Sequence, residues 1–134
     1  MNKIVVYLTF NGNCTEAMRF YQKCLGGKLQ IQRLGESPAS NQLPNSLNQY
    51  VLQANLCNGS VEIIGTDLVS DEGLQRGNSV AMMLVCKSKR EMNQYFKKLA
   101  IGGKVLSPVQ RNFFGVWFGT LQDRYENYWL MQYV

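Results

Sequence analysis

One segment of this sequence occurs twice, and the repeat limits the folds that the chain can adopt. The first copy has Asn13 as a helix N-cap, Glu16 as the acid of a capping box, and a closing Gly-Gly-Lys. The second copy has Ser88 and Glu91 in the same places and the same closing residues, at an offset of about 75 residues. This agreement favours a duplicated module over two unrelated amphipathic helices.

Both copies also carry an apolar stripe at helical spacing. The first stripe is Ala17, Phe20, Tyr21, Cys24 and Leu25, and the second is Met92, Tyr95, Phe96, Leu99 and Ala100. The strands before the two helices align at the same offset, so that Leu8-Thr9-Phe10 matches Met83-Leu84-Val85. We therefore predict helices over residues 14–25 and 89–100, each preceded by a strand and ended by glycine.

Apolar and β-branched runs predict the remaining elements. Strands are expected at 3–10, 28–35, 49–57, 60–65, 79–86, 103–110, 113–121 and 128–134. Asn58-Gly59 predicts a hairpin turn, residues 36–48 a long loop, 66–77 a joining loop and 123–127 a turn. Each half then reads β-α-β-β-β. We expect a single domain over 1–134, with module one at about 1–66 and module two at about 78–134.

The composition, 46% apolar and 17% charged, is typical of a soluble globular protein. No apolar run approaches the ~20 residues of a membrane span, and no secretion signal is recognisable. We therefore expect a cytoplasmic protein with no membrane partner and free thiols. Cys14, at the start of the first helix, could be a reactive thiol or a small residue that fills the first helical position. The second interpretation is favoured, since the chain has no histidine to act as a base.

The formal net charge is +5, and part of it is clustered around the second helix. The cluster consists of Lys87, Lys89, Arg90, Lys97 and Lys98. Nucleic-acid binding is one interpretation of such a cluster. A solvated helix face is favoured, because Lys97 and Lys98 lie off the apolar stripe and no nucleic-acid motif is present. We expect no nucleic-acid partner.

Four groups of residues, in order along nearly the whole chain, resemble the vicinal oxygen chelate superfamily, and most closely its PhnB-like branch. They are Tyr7–Cys14 with Glu16-Ala17, Phe20-Tyr21 and Leu25-Gly26-Gly27; Gly35–Pro38; Gly65-Thr66-Asp67 with Ser70-Asp71; and Phe118-Gly119 to Asp123 and Trp129. The resemblance implies an α+β fold of two βαβββ modules, which form a cup-shaped mixed sheet with both helices on its convex side. One departure is Glu126, where the family usually has glycine.

Metal-dependent members of this superfamily hold a divalent ion in the cup. Carried over by position, their ligands correspond to Tyr7, Met82, Leu130 and a residue near Ile63, with Glu62 adjacent and expected to face the other way. These side chains are poor donors for such an ion, and the absence of histidine excludes every imidazole site. We therefore predict no metal and no other cofactor.

What remains in the implied cup is apolar and aromatic. By alternation, the residues expected to line it and to contact a ligand are Tyr7, Thr9, Met82, Leu84, Trp117, Tyr128 and Leu130. Ordinary core positions are the alternative interpretation of the same residues. The catalytic residues, if there are any, cannot be named from the sequence.

Two functions from different classes follow from the resemblance. The first is a metal-free protein that binds a small molecule, like the drug-sequestering relatives, and is not an enzyme. The second is a lyase or transferase-type enzyme of the same superfamily, acting on a small oxygenated substrate through Tyr7, Glu62 or Cys14. The resemblance also implies a homodimer.

Overall fold

The computed structural model describes residues 2–38, 40–42 and 44–134. The chain divides into two compact units, Met1–Gln75 and Arg76–Val134, which we call unit 1 and unit 2. The division lies within the joining loop that the sequence predicts at 66–77. In the part of the chain that the structure describes, no helix has the length and apolar character needed to cross a membrane.

Unit 1 is a four-stranded mixed sheet with one helix. Its elements are β1 (Val6–Thr9), α1 (Cys14–Leu25), β2 (Lys28–Arg33), β3 (Val51–Asn58) and β4 (Val61–Thr66). The strand order is β1-β4-β3-β2, in which β1 is parallel to β4 and the other pairs are antiparallel. β2 ends at Arg33, short of the predicted residue 35, because Leu34–Glu36 form a 3-10 turn. Two more such turns, Ser40–Gln42 and Asn45–Leu47, lie in the predicted loop 36–48, of which residues 39 and 43 lie outside the described part.

Unit 2 repeats this arrangement. Its elements are β5 (Met82–Val85), α2 (Lys89–Leu99), β6 (Lys104–Arg111), β7 (Trp117–Gln122) and β8 (Tyr128–Tyr133). The strand order is β5-β8-β7-β6, with β5 parallel to β8. Two β-α-β-β-β units in one α+β chain confirm the predicted fold class and the duplication.

The two helices begin differently, although the sequence predicts the same cap for both. At α2, the Ser88 side chain accepts the Glu91 backbone N–H at 3.1 Å, as predicted. At α1, the Asn13 side chain makes no capping hydrogen bond. There the buried Asp67 Oδ1 accepts the N–H groups of Gly12 and Cys14, at 2.9 and 3.0 Å. The start of α1 is thus held by a carboxylate that follows β4, on N–H groups other than those of the predicted cap.

The two glycines of each Gly-Gly pair have different structural roles. Gly26 is the C-cap of α1 and has a φ of 77°, whereas α2 ends at Leu99 with Ala100 as its C-cap and Gly102, with a φ of 79°, lies in the turn that follows. The second glycine of each pair lies against the end of a neighbouring strand. A Cβ on Gly27 would be 2.4 Å from the Cys57 carbonyl oxygen, and one on Gly103 would be 2.1 Å from that of Gln122. The pairs recur because both modules pack this corner in the same way.

The cores largely follow the predicted stripes. In α1 the buried residues are Cys14, Ala17, Met18, Tyr21, Cys24 and Leu25, and in α2 they are Met92, Phe96 and Leu99. Met18 was not predicted, and Phe20 and Tyr95 are half-buried. Both helices bury the stripe against the sheet of their own unit, where most of the apolar stabilisation arises.

Two of the predicted turns differ in detail from the structure, and a third is confirmed. The β3–β4 hairpin is present, but its two-residue loop is Gly59-Ser60, because Asn58 still pairs with Val61. The strand predicted from residue 113 begins at Trp117, and Phe113 lies in the turn before it. The turn at 123–127 is confirmed, and Glu126 has a positive φ of 70° where the family usually has glycine.

Candidate functional site

The sheet of unit 1 has one face against α1 and one face that carries no helix of its unit. A Cβ on Gly65 would lie 2.9 Å from Met18 Sδ, so Gly65 and its parallel partner Leu8 point towards α1. The residues that alternate with them form the second face, which we call the open face of unit 1. It consists of Tyr7, Thr9, Lys28, Gln30, Gln32, Gln53, Asn55, Cys57, Glu62, Ile64 and Thr66.

Polar side chains dominate the open face of unit 1. Glu62 forms an ion pair with Lys3 and accepts a hydrogen bond from Asn55 Nδ2 at 3.2 Å. These hydrogen bonds, first the one from Lys3, lower the pKa of the Glu62 carboxyl. The exposed Cys57 donates to Asn55 Oδ1 at 2.9 Å. The face therefore presents an ionised carboxylate among carboxamides, with the Lys28 ammonium at the start of β2.

The sheet of unit 2 has the same two kinds of face. A Cβ on Gly119 would lie 2.9 Å from Phe96 Cε2 of α2, so Gly119 and its cross-strand partner Met131 point towards the helix. The alternate residues form the open face of unit 2. Its residues on β5, β7 and β8 are Met83, Val85, Phe118, Thr120, Gln122, Tyr128, Leu130 and Gln132, and on β6 Lys104, Ser107 and Gln110 pair into the same face. The β5 and β8 side chains are mostly apolar or aromatic, whereas β6 adds polar groups and the cation of Lys104.

The predicted lining residues do not all share an open face. Tyr7 and Thr9 lie on the open face of unit 1, and Tyr128 and Leu130 lie on that of unit 2. Met82, Leu84 and Trp117 lie on the α2 side of their sheet, which corrects the prediction. A direct contact supports this position of Trp117, because Lys89 Nζ of α2 lies 3.8 Å from the centroid of its ring.

A one-residue change of register explains the correction. Phe10 and Cys86 are the structural equivalents at the strand ends, since each is buried and donates its N–H to the last strand of its unit at 2.8 Å. Asn11 and Gly12 separate Phe10 from the first helix cap, whereas Lys87 alone separates Cys86 from the second. Tyr7 therefore corresponds to Met83, although the helix offset had matched it with Met82.

The positions that the resemblance implies for metal ligands also lie on other faces than the sequence predicts. Ile63 is 2% exposed and belongs to the core, while Glu62 shares the open face with Tyr7, contrary to the sequence prediction. The sole acid among the carried-over positions and their neighbours is thus Glu62, and it is engaged by Lys3. Among residues 2–38, 40–42 and 44–134, no three Cys, Asp or Glu side chains cluster as metal ligands. These residues do not fit the divalent ion of the superfamily.

Cys14 is a packing residue in this structure. Its side chain is fully buried at the first position of α1. Burial chiefly, with the nearby Asp67 carboxylate, raises the pKa of the thiol to about 12. A thiol with such a pKa is protonated at neutral pH, so the reactive interpretation of Cys14 is not favoured.

A shallow groove on the solvent side of α2 is a different kind of surface. Its lining residues are Lys89, Arg90, Asn93, Gln94 and Lys97. They occupy the polar side of the helix, where the sequence predicts a solvated face. Its wall is formed by the apolar stems of these side chains, and their cationic and carboxamide ends border it.

Comparison with known proteins agrees with the fold. Residues 2–132 match the model of a family described as 3-demethylubiquinone-9 3-methyltransferase. The chain is 28% identical to protein YjdN of Escherichia coli K12, with 96% of this chain and 92% of YjdN covered.

Solved structures give the same result. Protein PA1353 from Pseudomonas aeruginosa is 31% identical, with a TM-score of 0.87 over 99% of this chain and 98% of that one. A PhnB protein from Bacillus cereus is 25% identical, with a TM-score of 0.77 over 99% and 100% of the two chains. A glyoxalase/bleomycin resistance protein/dioxygenase family enzyme from Burkholderia phytofirmans, 14% identical with a TM-score of 0.68 over 97% and 96% of the chains, shares the fold.

The duplicated units, the strand order and the match over residues 2–132 lead to one assignment. This chain belongs to the family described as 3-demethylubiquinone-9 3-methyltransferase, the PhnB-like branch of the vicinal oxygen chelate superfamily.

Proposed function

We propose that this protein binds a small, flat, partly apolar molecule on the open face of unit 2, without a metal ion and without catalysing a reaction. The observation that carries the proposal is the apolar patch on that face. Met83 and Val85 are 53% and 62% exposed, and Met83 pairs with Leu130 across β5 and β8. Apolar side chains that remain exposed side by side on a sheet are typical of a binding surface.

The chemistry of the patch supports a flat ligand. Phe118 and Tyr128 supply aromatic surface on β7 and β8, and Thr120 and Gln132 supply hydrogen-bonding groups beside them. An apolar surface with a few polar groups is the usual composition of a small-molecule site. The charged residue Lys104 pairs into this face only at the start of the edge strand β6, so we expect a ligand that is held mainly by contact area and a few hydrogen bonds.

The alternative function, a lyase or transferase-type enzyme, would depend on Glu62 in unit 1. Its side chain is half-buried, 22% exposed, and lies on the same face as Tyr7. The hydrogen bond from Lys3 lowers the pKa of Glu62, which makes the carboxylate a weaker base. This observation favours binding over proton transfer.

Native mass spectrometry of the gently purified protein tests the proposal, because a co-purifying ligand appears as added mass. In parallel, binding of the fluorescent probe 8-anilinonaphthalene-1-sulfonate is compared in the wild type, Leu130→Asp and the control Ile101→Asp. Ile101 is exposed in unit 2 but lies on the loop after α2. We expect Leu130→Asp to weaken probe binding at least about tenfold and the control to leave it unchanged.

Two results would contradict the proposal. Equal probe binding by Leu130→Asp and the wild type would exclude the open face of unit 2 as the site. Close to one equivalent of Zn, Ni, Fe or Mn after dialysis, found by elemental analysis, would overturn the metal-free part and favour the enzyme.

A further inference from the structure

The exposed side of α2 carries more positive charge than its fold requires. Residues 87–98 contain five cations and one acid, Glu91, whose Oε1 accepts the Lys87 N–H at 3.4 Å at the start of the helix. The equivalent residues 12–23 of unit 1 contain only two cations and one acid, yet α1 forms the same element there. The packing of the helix therefore does not account for the charge on α2.

None of the five cationic side chains has an acidic partner within the part of the chain that the structure describes. All five residues, Lys87, Lys89, Arg90, Lys97 and Lys98, are exposed. Lys89 is positioned by an aromatic ring, because its Nζ lies 3.8 Å from the ring centroid of Trp117. These cations are therefore available to the anionic groups of another molecule.

Three of the cations border the groove on α2, which has a volume of about 510 Å³. Every residue that lines this groove belongs to the one helix and is exposed. A groove with a single helix for its wall is open along its length. It cannot bury most of the surface of a small molecule, as a small-molecule site does.

The rows of side chains give the groove a shape that fits a second helix. Lys89, Asn93 and Lys97 follow one another at every fourth residue, and Arg90 and Gln94 form the neighbouring row. The space between two such rows accepts one row of side chains from another helix. Lys89 and Lys97 lie about 12 Å apart along the axis, so two carboxylates that are two turns apart on the second helix can reach both of them.

We propose that α2 is a docking surface for an acidic amphipathic helix of a partner protein. An apolar side chain of that helix lies in the groove, against the stems of the long side chains, and its carboxylates pair with the cations at the border. This contact uses a different surface from the ligand site proposed on the open face of unit 2 and does not depend on it.

Nucleic acid is the other polyanion that five cations could attract. A phosphate backbone would meet the charges, but it has no apolar side chain to fill the groove. The five residues that line the groove include no aromatic side chain on which a base could stack. The apolar wall between the cations therefore favours an acidic helix over a nucleic acid.

Fluorescence anisotropy with a labelled helical peptide tests the proposal. The peptide presents a leucine with one glutamate a turn before it and another a turn after it. One comparison peptide has glutamine in place of both glutamates, and another has serine in place of the leucine. We expect each comparison peptide to bind about five- to tenfold more weakly, because one lacks the ion pairs and the other lacks the apolar contact. Equal binding of all three peptides by the wild type would overturn the proposal.

A pair of variants locates the contact on α2. Arg90→Gln/Lys97→Gln removes two cations of the groove, and the control Arg19→Gln/Lys23→Gln removes two exposed cations of α1. The two variants have the same net charge, and glutamine is as good a helix former as the residues that it replaces. We expect the groove variant to bind the acidic peptide about tenfold more weakly and the control to bind it within about twofold of the wild type. Equal losses in both variants would mean that net charge alone attracts the peptide, and the docking surface would be wrong.

A third variant tests the groove without removing a cation. Asn93→Glu places a carboxylate one turn from both Lys89 and Lys97, where it pairs with them in place of the partner's carboxylates. We expect at least about tenfold weaker binding of the acidic peptide, with an unchanged circular dichroism spectrum. Binding as tight as that of the wild type would contradict the assignment of the peptide to this groove.

Competition with duplex DNA of random sequence separates the two kinds of polyanion. DNA that fails to displace the acidic peptide supports the proposal. If the wild type binds DNA more tightly than the peptide, and Arg90→Gln/Lys97→Gln weakens the binding of DNA alone, the proposal is overturned in favour of a phosphate backbone.

Discussion

Gly103 offers the sharpest test of how the two Gly-Gly corners are packed. A Cβ added there would lie 2.1 Å from the Gln122 carbonyl oxygen and 2.9 Å from the Asp123 Cα. Both neighbours are backbone atoms, so no rotamer change relieves the clash. The start of β6 must move away from the end of β7, where Lys104 pairs with Gln122. We expect Gly103→Ala to lower the free energy of unfolding by about 3–5 kcal/mol, as a forced backbone shift in a packed region does.

The matched control is Gly77→Ala, because a Cβ at that glycine meets nothing within 4 Å and its φ lies outside the left-handed region. It should leave stability unchanged or raise it by up to about 1 kcal/mol. Both tryptophans, Trp117 and Trp129, belong to unit 2, so urea unfolding followed by tryptophan fluorescence reports on the unit that contains Gly103. If Gly103→Ala unfolds within about 1 kcal/mol of the control, the close approach at this corner is wrong.

Three further predictions concern single side chains. The Asp67 carboxylate accepts three backbone N–H groups, those of Gly12, Cys14 and Val51, and Asp67→Asn places an NH₂ group against at least one of them. We expect this substitution to lower the free energy of unfolding, followed by circular dichroism, by about 2–4 kcal/mol. A loss below about 1 kcal/mol would argue against this role of Asp67. Glu126→Gly should be more stable than Glu126→Ala by about 1 kcal/mol in thermal unfolding, because both lose the ion pair with Arg76 but only glycine relieves the positive φ. Burial raises the pKa of Cys14 from 9.0 to about 12, so the unfolded thiol releases its proton first as the pH rises. Wild-type stability relative to Cys14→Ala should therefore fall by about 1.4 kcal/mol per pH unit above pH 9, and parallel stability curves would contradict that pKa.

The fold could be predicted from the sequence because its signals are local and are repeated. Helix stripes, glycine stops and alternating strands each depend on residues a few positions apart, and the duplication allowed one half to check the other. The N-cap of α1 could not be found in this way, since the acceptor is Asp67, far along the chain. The Asp67 carboxylate accepts the N–H groups on either side of Asn13, those of Gly12 and Cys14, and the Asn13 side chain makes no cap.

The candidate site was harder to predict, because a strand changes face with every residue. The helices gave a reliable offset, but Asn11-Gly12 before α1 has one residue more than Lys87 before α2. Because of this difference, the sequence prediction assigned Met82 to the open face and missed Met83, which lies there. A more useful signal was the burial expected at the strand ends, where Phe10 and Cys86 both lie in the core. Phe113 and Phe114 were read as strand because composition does not show that Asn112 and Gly115 form a turn.

The parallel pairing of the first strand in each unit has a consequence for synthesis on the ribosome. β2, β3 and β4 pair with strands that are next to them in the sequence. β1 pairs with β4, as in the pair Val6–Ile63, so it can pair only after β4 has been synthesised. At 5–20 residues per second, the apolar segment at residues 4–10 stays unpaired for roughly 3 to 12 s after it is made. During that interval it is a candidate for chaperone capture or aggregation, and the delay in closing the sheet comes from topology rather than from a weak core.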